Sequence, residues 1–145
     1  MKRKPIAGIA VLCQDPNGKI IGDNYKTAQS DLRERKYIHK TKGEHWGCML
    51  TSVLREHPFP EVKGFVPEGL VWMEIAKHYD DLCVNEPLRT YYQDEPDALS
   101  KDRRSYGWVL YHRSVIRRDW RFFPYAPLRI GYSFLVCLIY FWKWK

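Results

Sequence analysis

The stretch Ile6-Ala7-Gly8-Ile9-Ala10-Val11-Leu12-Cys13, continuing through Gln14-Asp15-Pro16-Asn17-Gly18 into Lys19-Ile20-Ile21-Gly22, decides the fold class. The first run is short, almost wholly apolar and closed by turn residues, which predicts a strand, although its brevity leaves a helix open. Asn17-Gly18 between two apolar runs predicts a hairpin, with a type I′ turn because both residues tolerate the positive φ it requires. Strand signals here and helical signals further on place the chain in the α/β class.

Downstream, residues 23–36 are polar, charge-rich and without periodicity, and read as a mobile surface loop. Lys42 to Leu50 is a compact, glycine-containing piece. It leads into a short helix that Thr51 or Ser52 can cap and that Pro58 stops. Phe59 to Val66 is a loop with apolar anchors. Pro67-Glu68-Gly69 then opens the clearest helix: proline at its first position loses no hydrogen bond, and Glu68 meets the positive end of the dipole. Val71, Ile75 and Tyr79, joined by Trp72 and Ala76, supply its apolar stripe. Leu82-Cys83-Val84-Asn85 and Leu88-Arg89-Thr90-Tyr91-Tyr92 predict two strands separated by Glu86-Pro87, and Asp94 to Asp97 a closing loop.

The remaining residues differ in kind. Residues 101–145 carry ten Lys/Arg against two Asp, a net +8, so the overall +7 leaves the first hundred residues at −1. Ser105 to Trp120 has helix-compatible apolar spacing through Tyr106, Val109, Leu110, Ile116 and Trp120, and Phe122 to Pro127 breaks it. Ile130 to Trp142 is apolar and aromatic, but at about 13 residues it is shorter than the roughly 20 a spanning helix needs. A helix lying flat in a membrane interface fits better, with Trp and Tyr at headgroup depth and Arg/Lys toward anionic lipid. The expected organisation is 1–100 as one domain part and 101–145 as a basic, aromatic-rich helical tail.

At 145 residues with 45% hydrophobic content, the chain is core-forming and of single-domain length, not disordered or collagen-like. Cys13, Cys48, Cys83 and Cys137 form no Cys-x-x-Cys pair, and Met1-Lys-Arg-Lys-Pro5 opens no apolar signal segment. Free thiols in a reducing, cytoplasmic setting are the expectation. A zinc site would have His45-x-x-Cys48 as one arm and no matching second arm.

Four segments in order carry a resemblance: Gly8-Ile9-Ala10 with Asn17-Gly18-Lys19-Ile20-Ile21-Gly22, Lys42-Gly43-Glu44-His45-Trp46-Gly47, Phe65-Val66-Pro67-Glu68-Gly69-Leu70-Val71-Trp72, and Val84-Asn85-Glu86-Pro87-Leu88-Arg89-Thr90-Tyr91-Tyr92. Over roughly residues 6–100 the chain resembles family-2 glycosyltransferases of the bacterial cell-surface polysaccharide type. The resemblance implies a partial GT-A fold, Rossmann-like and of the nucleotide-diphospho-sugar transferase kind, without its N-terminal nucleotide-binding half and with C-terminal helices added. It further implies a nucleotide-sugar donor, a glycan or lipid-linked acceptor, and a divalent metal, Mg or Mn, held in the full enzyme by an Asp-x-Asp pair. That pair is missing from this sequence, whose adjacent acids are Asp80-Asp81 and Asp94-Glu95. The isolated chain is therefore expected to be inactive.

An inverting transfer needs a carboxylate to take the acceptor proton. By resemblance that base lies in a Glu-Asp pair at a helix start; here the position reads Pro67-Glu68-Gly69, so Glu68 is the candidate and the second acid is absent. The ordinary role of Glu68 would be to stabilise its helix by about 0.3–1 kcal/mol. Trp46 and Trp72 offer indole faces to a sugar ring, Trp72 also fitting the helix core. Lys42, His45 and Arg89 are candidate contacts for substrate or phosphate, against an ordinary role as solvated surface. The partner expected of the tail is an anionic membrane surface at the cytoplasmic face. The competing class is a non-catalytic binding module whose basic, aromatic tail meets membrane or, less in keeping with the four ordered segments, nucleic acid.

Overall fold

The computed structural model describes residues 3–92 and 106–143, and gives a mixed α/β chain divided into two compact units: Met1–Pro58 with Trp72–Asp97, and Phe59–Val71 with Ala98–Lys145. Asp94, Glu95, the loop to Asp97 and the basic residues Lys101, Arg103, Arg104 and Lys145 lie outside the described residues.

In the first unit, β1 (Ile6–Gln14), β2 (Gln29–Ser30), β3 (His45–Met49) and β4 (Asp80–Thr90) form a sheet in the order β2-β4-β1-β3. β1 is central, parallel to β4 and antiparallel to β3, and β2 is antiparallel to β4. Central placement explains its unbroken apolar character, because a strand flanked on both sides and covered buries most of its residues. Ala10, Leu12 and Cys83 pack with Tyr25 as a core cluster. The strand β3 was not anticipated, because glycine inside a strand weakens the pattern. A Cβ on Gly47 would lie 2.4 Å from the Ile9 carbonyl oxygen, so the strand pairing itself demands the missing side chain.

The hairpin forms with a different turn from the one expected. The Gly18 N–H donates to the Asp15 carbonyl at 3.0 Å and the Asp15 N–H to the Lys19 carbonyl at 2.9 Å, while Gly18 alone in the turn has positive φ. This is a type I turn over Pro16-Asn17 closed by a left-handed Gly18, the three-residue alternative to type I′. Proline at the first central position favours it. The Asp15 carboxylate accepts the N–H groups of Asn17 and Lys19, both at 2.9 Å.

The two strands expected at 82–85 and 88–92 are one, β4, which passes through Pro87. Val11 pairs with Val84 but Leu12 with Pro87, so Asn85 and Glu86 bulge from the ladder. A bulge is where a strand tolerates a proline. Asn85 is not wasted: its side chain accepts the Tyr25 N–H at 2.7 Å and donates to the Tyr25 carbonyl at 3.0 Å.

The expected mobile loop at 23–36 is instead fixed. It contributes β2 and runs into a single π-helical turn at Glu34–Ile38, and Ser30, Asp31, Arg33, Glu34 and Arg35 are all buried. Charges are tolerated there because they are paired: Lys4 binds Asp31, Arg3 lies 3.3 Å from Glu34, and Arg35 lies 2.7 Å from Asp81.

Two short helices complete the described elements before β4. α1 (Thr51–Glu56) starts one residue earlier than a Thr51 cap would set and two earlier than a Ser52 cap; Leu50 occupies the cap position, with no side-chain hydrogen bond. α2 (Gly69–Ile75) begins after Glu68, not with it, and tightens into turns up to Tyr79, with Lys77 N–H on Glu74 and His78 N–H on Ile75. Val71, Met73, Ile75 and Ala76 are buried, whereas Trp72 and Tyr79 are half-buried.

In the second unit, α3 (Tyr106–Asp119) and α4 (Pro127–Lys143) are joined by a 3-10 turn at Trp120–Phe122 and a short bend. α3 buries Gly107, Tyr111, Val115 and Asp119, a stripe at spacings of four that replaces the expected one. Tyr106 and Trp120 are exposed. From α4, Ile130 and Ser133 are buried, while Leu128, Tyr132, Phe134, Leu135, Leu138 and Ile139 stand exposed. Phe65 meets Trp108 at 6.1 Å between ring centres, and Arg118 donates to the Leu70 carbonyl at 3.2 Å.

Candidate functional site

Three of the sequence candidates, Lys42, His45 and Trp46, are set by the crossing of two glycines. Gly22 and Gly43 bridge so closely that a Cβ on Gly43 would lie 2.2 Å from the Gly22 Cα, and Gly43 has φ 88°. Glycine alone combines that conformation with that approach. Around the crossing, Asp23 N–H donates to the Lys42 carbonyl at 2.9 Å, Lys42 N–H to the Asp23 carboxylate at 2.8 Å, and Glu44 N–H to the Ile21 carbonyl at 2.8 Å. The Lys42 side chain remains exposed.

Strand pleating then sorts the next residues. His45 pairs with Leu12 and Trp46 with Val11, so they face opposite sides of the sheet. The half-buried His45 ring lies 4.9 Å from the Tyr25 ring and one ring nitrogen is 2.9 Å from the Asp23 carbonyl oxygen. Trp46 is 42% exposed, enough for an indole face to meet a ligand. Arg89 pairs with Cys13, which shares the face of Val11, so Arg89 and Trp46 flank β1 on the same side. The Arg89 guanidinium stands over the Tyr91 ring at 5.2 Å. Burial pushes the Cys13 thiol above its ordinary value, the Glu44 charge adds to this and Arg89 opposes it.

Trp72 belongs to the same unit, half-buried in α2. Glu68 falls in the second unit, exposed, with its carbonyl accepting the Val71 N–H at 3.0 Å. Lys42, Trp46 and Arg89 are thus the exposed candidates of the first unit, and His45 serves the packing against Tyr25.

Sequence reasoning missed the polar cluster beneath the sheet. Arg35 donates to Asp81 at 2.7 Å, to the Ser30 carbonyl at 2.9 Å and toward the Cys83 sulfur at 3.3 Å, and its guanidinium lies 5.7 Å from the Tyr25 ring centre. Burial works to lower the Arg35 pKa, but Asp81 and Cys83 outweigh it and leave the group raised. Burial also pushes the Tyr25 phenol well up, with Arg35 opposing; that hydroxyl donates to the Val11 carbonyl at 3.2 Å. The only trace of this cluster in the sequence is the density of charge at 31–36 beside a strand beginning Asp80-Asp81.

The same pairings decide the fit of a divalent metal. Asp80 is buried, accepts the Gln29 amide at 3.0 Å and lies 3.8 Å from the Lys4 ammonium, and Asp81 holds Arg35. Both carboxylates are neutralised by cations, and among the described residues no group of three His, Cys, Asp or Glu converges for an ion. These residues do not fit a divalent metal.

Comparison with protein-family models, with curated proteins and with solved structures returns no match.

Proposed function

We propose that this chain is the acceptor-side part of a family-2 glycosyltransferase of GT-A architecture, acting with a nucleotide-sugar donor on a glycan or lipid-linked acceptor. In the transfer the acceptor oxygen bonds to the anomeric carbon, the sugar–phosphate bond breaks, the nucleoside diphosphate leaves, and a carboxylate takes the acceptor proton, for which Glu68 is the candidate of the second unit. Within the first unit, Trp46 offers its indole face to a sugar ring, and Lys42 and Arg89 offer cations to polar or phosphorylated groups. The observation that supports this reading is convergence. Segments around Gly22, Lys42–Gly47 and Val84–Tyr92, far apart in the chain, are tied together at β1 through the Gly22–Gly43 bridge and the β3 and β4 ladders.

The experiment joins a donor-binding half in cis and assays sugar transfer from nucleotide-sugars. Transfer is expected for the joined protein and not for the chain by itself. Glu68→Gln is expected to cut turnover on the order of 100-fold, and a loss below about threefold removes Glu68 as the base.

A second reading has its own observation. The second unit exposes the apolar residues of α4 and also Arg113, Arg117, Arg121 and Arg129, the composition of a helical segment lying on an anionic membrane surface at the cytoplasmic face. Among the described residues no helix is long and apolar enough to cross a membrane. This contact is compatible with the enzymatic reading and would also serve a non-catalytic module.

A further inference from the structure

The seam between α3 and α4 is open. A cleft of about 690 Å³ lies within the second unit, inside the range of roughly 300–1,000 Å³ usual for small-molecule sites. Trp108, Tyr111 and Val115 form one wall, and Tyr132, Val136 and Tyr140 the other. Each set recurs at helical spacing, so one face of each helix is committed to the cleft. From Arg129 to Tyr140 the α4 wall rises about 16 Å at 1.5 Å per residue. That makes the cleft elongated as well as apolar.

Three of its polar residues, His112, Ser133 and Arg129, gather toward one end. His112 is ringed by Trp108, Tyr111 and Tyr132, with ring centres 6.2, 5.3 and 5.5 Å away. Its Nδ1 lies 3.0 Å from the Ser133 hydroxyl, which donates its proton to the Arg129 carbonyl at 3.3 Å. Arg129 lines the same end, and no carboxylate among the described residues pairs with it. It occupies the first turn of α4, which contains no acid, so its cation adds to the positive end of the helix dipole instead of offsetting it. An anion at Arg129 would relieve both.

We propose that this cleft binds a single-chain amphiphile, its alkyl chain lying along the α3–α4 seam and its anionic head on Arg129. The long apolar walls select the chain, and the Arg129 cation at one end selects the sign of the head. Neither Glu68 nor the sheet contributes, so the inference stands apart from the glycosyltransferase reading.

The test is calorimetric titration of the full chain with dodecyl phosphate kept below its micelle concentration, followed also by tryptophan emission, to which Trp108 in the cleft wall contributes. Saturable one-to-one binding is expected. Inorganic phosphate is expected to give no saturation, and dodecyltrimethylammonium to bind at least about tenfold more weakly, a difference of roughly 1.4 kcal/mol. Val136→Trp fills the seam and should abolish binding. Arg129→Gln, at an exposed position that leaves the fold intact, should weaken dodecyl phosphate roughly tenfold and leave the cationic amphiphile unchanged. Leu138→Ser, on an exposed residue outside the cleft, should bind as the unaltered chain does. Absence of saturable binding, equal affinity for the two amphiphiles, or an Arg129→Gln protein with full affinity would overturn the proposal. Circular dichroism of each variant separates lost binding from lost folding.

Discussion

Arg35 and Asp81 show what single charged residues do when they leave solvent. Their side chains are only 10% and 17% exposed, and they meet at 2.7 Å. Removing one partner of such a pair strands the other in a poorly solvated site. Asp81→Asn is expected to cost roughly 3 kcal/mol or more, whereas the double replacement Arg35→Met with Asp81→Leu should cost less than Asp81→Asn, as urea unfolding midpoints would report. Tyr25 gives a pH prediction. Its folded phenol holds its proton above the ordinary value of 10.0, so stability from this group is level below that pH and falls as pH rises beyond it, where the unfolded chain ionises first. Tyr25→Phe should therefore flatten the alkaline decline measured by thermal melts, while losing about 1 kcal/mol at neutral pH with the bond to Val11. None of this was legible in residues 23–36. A run of charges looks the same whether it faces water or a partner 46 positions away.

At the level of elements, local chemistry spoke most clearly in the hairpin. Asp15-Pro16-Asn17-Gly18 announced a turn between two apolar runs, and the turn is there. Its type escaped because Pro16 preset the first central residue and left only Gly18 to go left-handed. Asp15→Ala removes two hydrogen bonds to backbone N–H groups and is expected to destabilise the first unit by about 1 kcal/mol, seen as earlier hydrogen exchange at Asn17 and Lys19. β4 shows the opposite case. Glu86-Pro87 reads as a break, and the strand continues because the extra residues bulge and Asn85 finds Tyr25. α3 was legible as a helix, but not its buried face, because Gly107, Tyr111 and Val115 are outnumbered by apolar residues elsewhere on its surface.

For the whole molecule, charge and apolar surface are partitioned along the chain, with the first hundred residues near neutrality and the last 45 at +8. The chain is expected to co-float with vesicles containing anionic lipid at low salt, to release as salt screens the attraction, and to ignore neutral vesicles. Leu135→Ser with Leu138→Ser should weaken flotation at every salt concentration; retention on single-stranded DNA without flotation would favour nucleic acid instead. By itself the sequence determined the α/β class, the hairpin, the helical character of 106–143 and the uneven charge, because each depends on neighbours within a few residues. It also singled out Lys42, His45, Trp46, Glu68, Trp72 and Arg89 as candidates, of which Lys42, Trp46, Glu68 and Arg89 are exposed and His45 and Trp72 half-buried. Only the tertiary structure decided that β1 is central, that 23–36 is buried, that His45 and Trp46 face opposite sides, and that α3 and α4 enclose a cleft. Those outcomes depend on which distant residue supplies a counter-charge or fills a hole, and pairing across tens of residues leaves no periodicity in the chain that carries it.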